Sequence, residues 1–170
     1  PAPYAASSAY YFPTAGRMYS VEVLKGPAAI TEGPNTIGGA INMISTPIPE
    51  ETEGKIVAEV GGNSTTRVHA AYGSTNSDGF GYLIETHRWK SDGFQSIDGS
   101  NSGTGLDIKD YTLKLGYAPV DSRHAFELKY QYAEQDSNQS YLGITDADFD
   151  LNPYRRYSVS QNDLMTTEHK

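Results

Sequence analysis

From Lys55 onward the chain alternates between apolar and polar positions with a period of two, the pattern of strands whose faces meet different surroundings. Ile56, Ala58 and Val60 alternate with Lys55, Val57 and Glu59. After Gly61-Gly62-Asn63-Ser64, Val68, Ala70 and Tyr72 alternate with Arg67, His69 and Ala71. Thr75-Asn76-Ser77-Asp78-Gly79 is a strong turn signal. Phe80, Tyr82, Ile84 and Thr86 then alternate with Gly81, Leu83, Glu85 and His87, and the run continues to Trp89. A polar stretch from Ser91 to Asp107, rich in Gly, Ser and Asp, reads as an exposed loop. Tyr111, Leu113, Leu115 and Tyr117 alternate with Thr112, Lys114 and Gly116. Beyond the turn at Pro119-Val120-Asp121-Ser122, Phe126, Leu128, Tyr130 and Tyr132 oppose Glu127, Lys129 and Gln131. A second long polar loop is expected from about Asp136 to Thr166, with Thr167 to Lys170 opening another strand.

The first third of the chain has a different character. Residues 1–16 are rich in Pro, Ala, Ser and Tyr without periodicity and read as a loop. Met18 to Leu24 is a short β-rich run closed by Gly26-Pro27, where Gly permits φ > 0 and Pro fixes φ. Ile37 and Ile41 to Ile44 are largely apolar, and Gly38-Gly39 between them marks a tight bend or a close backbone approach. Thr46-Pro47-Ile48-Pro49-Glu50-Glu51-Thr52-Glu53-Gly54 is an acidic connector whose prolines cannot donate to a central ladder. The pattern predicts a mainly all-β chain in two parts, residues 1–49 and residues 50–170.

Composition narrows the function classes. Thirteen Tyr and seventeen Gly against five Phe and one Trp suit strands with both wet and apolar zones. No apolar run approaches the roughly 18 residues of a membrane-spanning helix, which leaves strand-built membrane proteins open. There is no cysteine, hence no disulfide framework or thiolate metal site. A formal charge of −8 argues against nucleic acid as a partner, since that binding needs a basic stripe. The opening Pro1-Ala2-Pro3-Tyr4 reads as the middle of something longer, so a fragment cut at both ends is the expectation.

Connection lengths add a second constraint. Counted from the connector they run short, short, long, short, long, so long connections fall on one end of the strands only. Outer-membrane barrels have short periplasmic turns and longer external loops. Tyr72, Tyr82, Tyr111, Tyr117, Tyr132 and Trp89 lie near strand ends, where aromatic rings favour a membrane interface. A soluble or surface β-sandwich, serving as a carbohydrate-binding or adhesive domain, would alternate in the same way with its apolar face turned inward. Alternation alone favours the sandwich, because soluble domains are commoner, and does not separate the two.

Two sequence elements do. Val21-Glu22-Val23-Leu24-Lys25-Gly26-Pro27, followed about ten residues later by Gly38-Gly39-Ala40-Ile41-Asn42-Met43-Ile44-Ser45-Thr46, resembles the end of the plug domain of TonB-dependent outer-membrane receptors. Thr31-Glu32-Gly33 departs from that family's pattern, which has an aromatic before the glycine. The resemblance implies that residues 1–49 are the C-terminal part of a plug domain. Residues 50–170 are then the first strands and loops of a transmembrane β-barrel of about 22 strands. It also implies a location in the bacterial outer membrane, in contact with lipid and lipopolysaccharide, and active uptake energised by the TonB complex of the inner membrane. The peptide gripped by TonB lies outside residues 1–170 on this reading. A passive channel would explain the barrel but not the plug-like segment.

The stretch from Tyr141 to Tyr157 is similar to a loop of ferric-citrate-type receptors, most clearly in Tyr141-Leu142-Gly143-Ile144-Thr145 and Asn152-Pro153-Tyr154-Arg155-Arg156-Tyr157. The implied cargo is a ferric chelate, either ferric citrate or a siderophore, carried as substrate with no resident cofactor. Arg155 and Arg156 suit such an anion because guanidinium groups bind carboxylates bidentately. The competing reading pairs them with Asp146, Asp148 or Asp150. In the family the plug apex faces the ligand, which makes Tyr10 and Tyr11, with Tyr4 and Phe12, candidates from the other side; packing against the barrel wall is the alternative.

Nothing in the chain reads as a catalytic constellation. His69, His87, His124 and His169 occur singly and without metal-ligand spacing. No serine sits in a nucleophile elbow. Gly103-Thr104-Gly105 lacks the third glycine and the helix that cradle phosphate. Asp146, Asp148, Asp150 and Asn152 space oxygens as a calcium loop does, but Leu151 and Tyr157 stand where an EF-hand needs Gly and Glu. A looser calcium site and a solvated acidic loop both stay open.

Overall fold

A computed structural model describes residues 14–26, 39–98, 103–119, 121–138, 143–156 and 167–169. A 3-10 turn, Ala15–Arg17, leads into β1 (Met18–Lys25), which pairs antiparallel with β2 (Gly39–Ser45). β3 (Glu53–Gly61), β4 (Thr65–Thr75), β5 (Phe80–Ser91), β6 (Leu106–Tyr117), β7 (Phe126–Ser137) and β8 (Thr167–His169) form one antiparallel meander in sequence order. The fold is therefore all-β with antiparallel sheets, and α1 (Asp146–Leu151) is a six-residue exception.

Local chemistry explains the tight connections. Asn63 and Ser64 take φ of 54° and 52°, and the Thr65 N–H donates to the Gly62 carbonyl at 3.1 Å. Positive φ at both central residues matches the twist of the flanking strands. At the next turn Asn76 Oδ1 accepts the N–H groups of Asp78 (3.0 Å) and Phe80 (2.9 Å). Such an Asx contact mimics a backbone turn.

Several elements run longer than the alternation predicts. β6 begins at Leu106 rather than near Tyr111, and β7 continues to Ser137 beyond Tyr132. In these added turns of the ladder the polarity of the faces changes. Asp107, Lys109, Glu134 and Asp136 stand on the same face as Tyr111 and Tyr132, and Lys109 pairs with Glu134 at 3.7 Å while Arg88 pairs with Asp107 at 2.9 Å. Ion pairs there take the place of apolar contacts, so a reading based on hydrophobic positions stops early. α1 lies in the stretch expected to be a loop. The Thr145 side chain accepts the Asp148 N–H at 3.2 Å and caps it.

The two faces of the six-stranded sheet are the reverse of a soluble core. Exposed on one face are Ile56, Val60, Val68, Tyr72, Phe80, Ile84, Tyr111, Leu113, Tyr117, Phe126, Leu128 and Tyr130. On the other face lie the buried Glu85, His87, Asp110, Thr112 and Lys114, with Leu83 and Ile108 among them. The residues that meet this polar face flank the β1–β2 hairpin: Gly16 and Arg17 before it, and Thr46, Ile48 and Pro49 after it.

The apolar band is also slanted with respect to the strands. Its centre is at Ala58 on β3, and across the ladder Ala58 is level with Val68, Arg88, Lys109 and Glu134. On β7, however, the band is centred between Leu128 and Tyr130, about five residues further along. Five residues are ~17 Å along a strand and four strand spacings are ~19 Å, so the band is inclined by roughly 40° from the perpendicular to the strands.

Candidate functional site

The polar face is built in rows by strand register. His69, His87 and Asp110 are level on β4, β5 and β6; the next row holds Ala71, Glu85, Thr112 and Gln131. Because side chains alternate, all of these point to one side and their charges converge. Arg17, held at the end of the 3-10 turn, enters this field. Its Nε donates to Asp110 Oδ2 at 2.7 Å and its Nη1 lies 3.5 Å from Glu85 Oε2, with all three side chains essentially inaccessible to water.

Both ends of the hairpin reach the same carboxylate. Arg17 precedes β1, and Thr46, just after β2, donates from Oγ1 to Glu85 Oε1 at 2.6 Å. His69 Nε2 is 2.9 Å from the same oxygen, and Gln131 Nε2 donates to Asp110 Oδ2 at 3.3 Å. The 3-10 turn lies close to the wall at Gly16, where a β-carbon would stand 2.5 Å from His87 Nε2. Arg67 covers this cluster at its upper margin, with its guanidinium 4.6 Å from the Trp89 ring centre and Nη1 2.8 Å from Glu59.

Such an interface is specific yet releasable. A buried ion pair adds little over an apolar contact, but removing one partner leaves a buried charge and costs about 3–5 kcal/mol. Polar groups can exchange their partners for water when the two surfaces part, which an apolar core cannot do without penalty. The hairpin is thus held in one position by groups that tolerate hydration.

The two long connections meet at the far end of the sheet. The Ser96 N–H donates to the Tyr154 carbonyl at 2.8 Å, and the Arg156 N–H donates to the Ser96 carbonyl at 2.9 Å. Arg155 reaches Asp98 through Nε and Asp148 Oδ1 through Nη1, the latter at 3.0 Å. The Arg156 side chain is buried. Of the residues that the sequence offered for ligand contact, Arg155 and Arg156 therefore sit together in a joined pair of loops. Tyr10 and Tyr11 lie outside the described residues, as do Tyr4 and Phe12. The calcium-like spacing falls on α1, whose helical turn puts Asp148 on the side opposite Asp146 and Asp150. Among the described residues no group of three His, Asp or Glu is placed to hold a metal ion.

Sequence reasoning did not single out Arg17, Glu85 or Asp110. The available signal was their parity: Glu85 and His87 alternate with the apolar face of β5, which placed them on the polar side. What parity could not supply is the level of Arg17 against that wall.

The chain is 28% identical over 159 residues to the vitamin B12 transporter BtuB of Vibrio vulnificus (strain CMCP6), a match covering 90% of this chain and 23% of that protein. The chain thus spans about a quarter of the length of this curated relative. No family model matches it, and no solved structure does.

Proposed function

We propose that this chain is the junction between plug and barrel of a TonB-dependent transporter of the bacterial outer membrane. Residues 1–49 form the C-terminal part of the plug and residues 50–170 the first strands and loops of the barrel. The observation that carries this reading is the slanted apolar band. A band level with a bilayer is inclined from the perpendicular to barrel strands by the strand tilt, about 35–45°. The face opposite the band is charged, as the inside of a wet barrel requires, and it holds the plug hairpin through Arg17 and Thr46. The short-turn end is periplasmic and the joined loops at Ser96 and Arg155 are external. The likeness to a vitamin B12 transporter supports the transport class.

The cargo is a scarce ligand imported with energy delivered through TonB. A ferric chelate, citrate or siderophore, is the first candidate, supported by the Tyr141 to Tyr157 motif, with Tyr10, Tyr11 and Arg155 as its contacts, whereas the Arg156 side chain is buried. A corrinoid is the second, supported by the name of the similar protein. The test is uptake of radiolabelled ferric citrate, several ferric siderophores and cyanocobalamin by cells carrying the complete parent protein, with and without functional TonB. Uptake of one probe that vanishes without TonB establishes the transporter and names its cargo. Uptake indifferent to TonB, or of none of these probes, sinks the proposal in this form.

A further inference from the structure

The connector Pro47–Pro49 meets the wall where three neighbouring strands lack side chains. Gly73 on β4, Gly81 on β5 and Gly116 on β6 all belong to the polar face, and Gly81 stands directly opposite Gly116. Ile48 and Pro49 occupy the space. A β-carbon at Gly81 would lie 2.7 Å from Ile48 Cγ2, one at Gly116 would lie 2.9 Å from Ile48 Cδ1, and one at Gly73 would lie 2.7 Å from Pro49 Cδ. Those separations are closer than carbon atoms pack, so any larger residue at the three positions would displace the connector. Thr75 Oγ1 adds a hydrogen bond to the Pro49 carbonyl at 2.7 Å.

The connector is stiff on its own account. Pro47 and Pro49 have fixed φ, and the residues before them, Thr46 and Ile48, are restricted to extended conformations. Its chemistry also differs from that of the hairpin just before it. The hairpin is fastened by ionic and polar contacts that water can replace, whereas Ile48 is fastened by close apolar packing against bare backbone. The boundary between the two kinds of fastening falls between Thr46 and Ile48.

We infer that the Gly73–Gly81–Gly116 seat is a fixed pivot: when the plug moves, the contacts of Arg17 and Thr46 open while Ile48 stays in place. The inference rests on the transporter reading above. Its consequence is mechanical. A pull on the plug ends at the seat and does not reach β3, whose residues are exposed along its whole length.

Two cross-links in the complete parent receptor, cleared of other cysteines, test this in cells. Ile48→Cys with Gly81→Cys brings two β-carbons within disulfide range of about 3.5–4.5 Å. Thr46→Cys with Glu85→Cys, joined by a short bis-maleimide, fastens the hairpin instead. The readout is uptake of radiolabelled ferric citrate and cyanocobalamin in each state. The expected result is uptake within about twofold of the reduced form for the first pair and a loss of at least about tenfold for the second. A tenfold loss with the 48–81 disulfide that reduction restores overturns the pivot while leaving TonB-dependent uptake by the parent intact. Unchanged uptake with the 46–85 link overturns it as well. If the 48–81 pair fails to assemble, Ile48→Cys with Gly116→Cys, joined by a short bis-maleimide, is judged by the same criterion. Parent uptake that ignores TonB removes the transporter reading first, and the pivot with it.

Discussion

Arg17 Nε donates to Asp110 Oδ2 at 2.7 Å across 93 positions of sequence, and this bond ties the hairpin segment to the wall of the large sheet. Asp110→Leu leaves Arg17 facing Glu85 alone, with a buried guanidinium short of one partner. Removing one member of such a pair costs about 3–5 kcal/mol, so the docking equilibrium should shift by a factor on the order of 10²–10⁴. Entry of a bulky antibiotic through the outer membrane should rise in cells carrying Asp110→Leu. Unchanged entry would mean that the pair does not hold the hairpin segment against the sheet.

The exposed face gives the sharpest separation between a membrane barrel and a soluble sheet. Leu128→Arg places a charge in the middle of the apolar band on β7. In a bilayer this costs about 2–4 kcal/mol and should lower the amount of folded receptor in outer-membrane fractions. Glu127→Gln, one residue away on the other face, should leave that amount nearly unchanged. Where this face meets water the difference disappears, because an exposed Leu→Arg is close to neutral. Heat-modifiable mobility on gels reads both.

The alternation of Phe80 to His87 and of Phe126 to Tyr132 made the strands and their faces legible, because period two is a direct consequence of the pleat. The connection lengths made the two ends of the sheet legible. Two things were not. Leu106 to Asp110 and Ala133 to Ser137 carry charges on the outer face above the apolar band, and only the ladder shows that Lys109 meets Glu134 there. The docking of Arg17 was hidden for another reason. It depends on the levels of three strands and the height of a separate hairpin, and nothing local to Arg17 encodes them. Parity says which way a side chain points; register says what it meets.

Arg155 joins the two long loops through Asp98 and Asp148, and its side chain remains partly accessible. Pairs of this kind contribute about 0.2–1 kcal/mol each. The backbone bonds at Ser96 should therefore keep the loops together in Arg155→Ala, with a modest rise in cleavage by added protease between 92 and 105. A double-mutant cycle of Arg155→Ala with Asp98→Ala should return a coupling below about 1 kcal/mol. A coupling of several kcal/mol would show instead that this pair governs the loop arrangement.

The same arginine separates the two candidate cargoes. Arg155→Gln removes a charge from the joined loops while keeping hydrogen-bonding capacity. If the cargo is an anionic ferric chelate that borrows this guanidinium, loss of a charged hydrogen bond of about 1.5–3 kcal/mol should weaken its half-saturation concentration by roughly 10- to 100-fold. The effect should shrink at high ionic strength, where exposed charges are screened. Net-neutral cyanocobalamin should respond by less than about threefold and without salt dependence. Glu127→Gln, which changes a charge near the opposite end of the sheet, supplies the control for altered net charge. A receptor whose ferric citrate uptake is indifferent to Arg155→Gln keeps this residue for joining loops, through Asp98 and Asp148, and binds its iron chelate elsewhere.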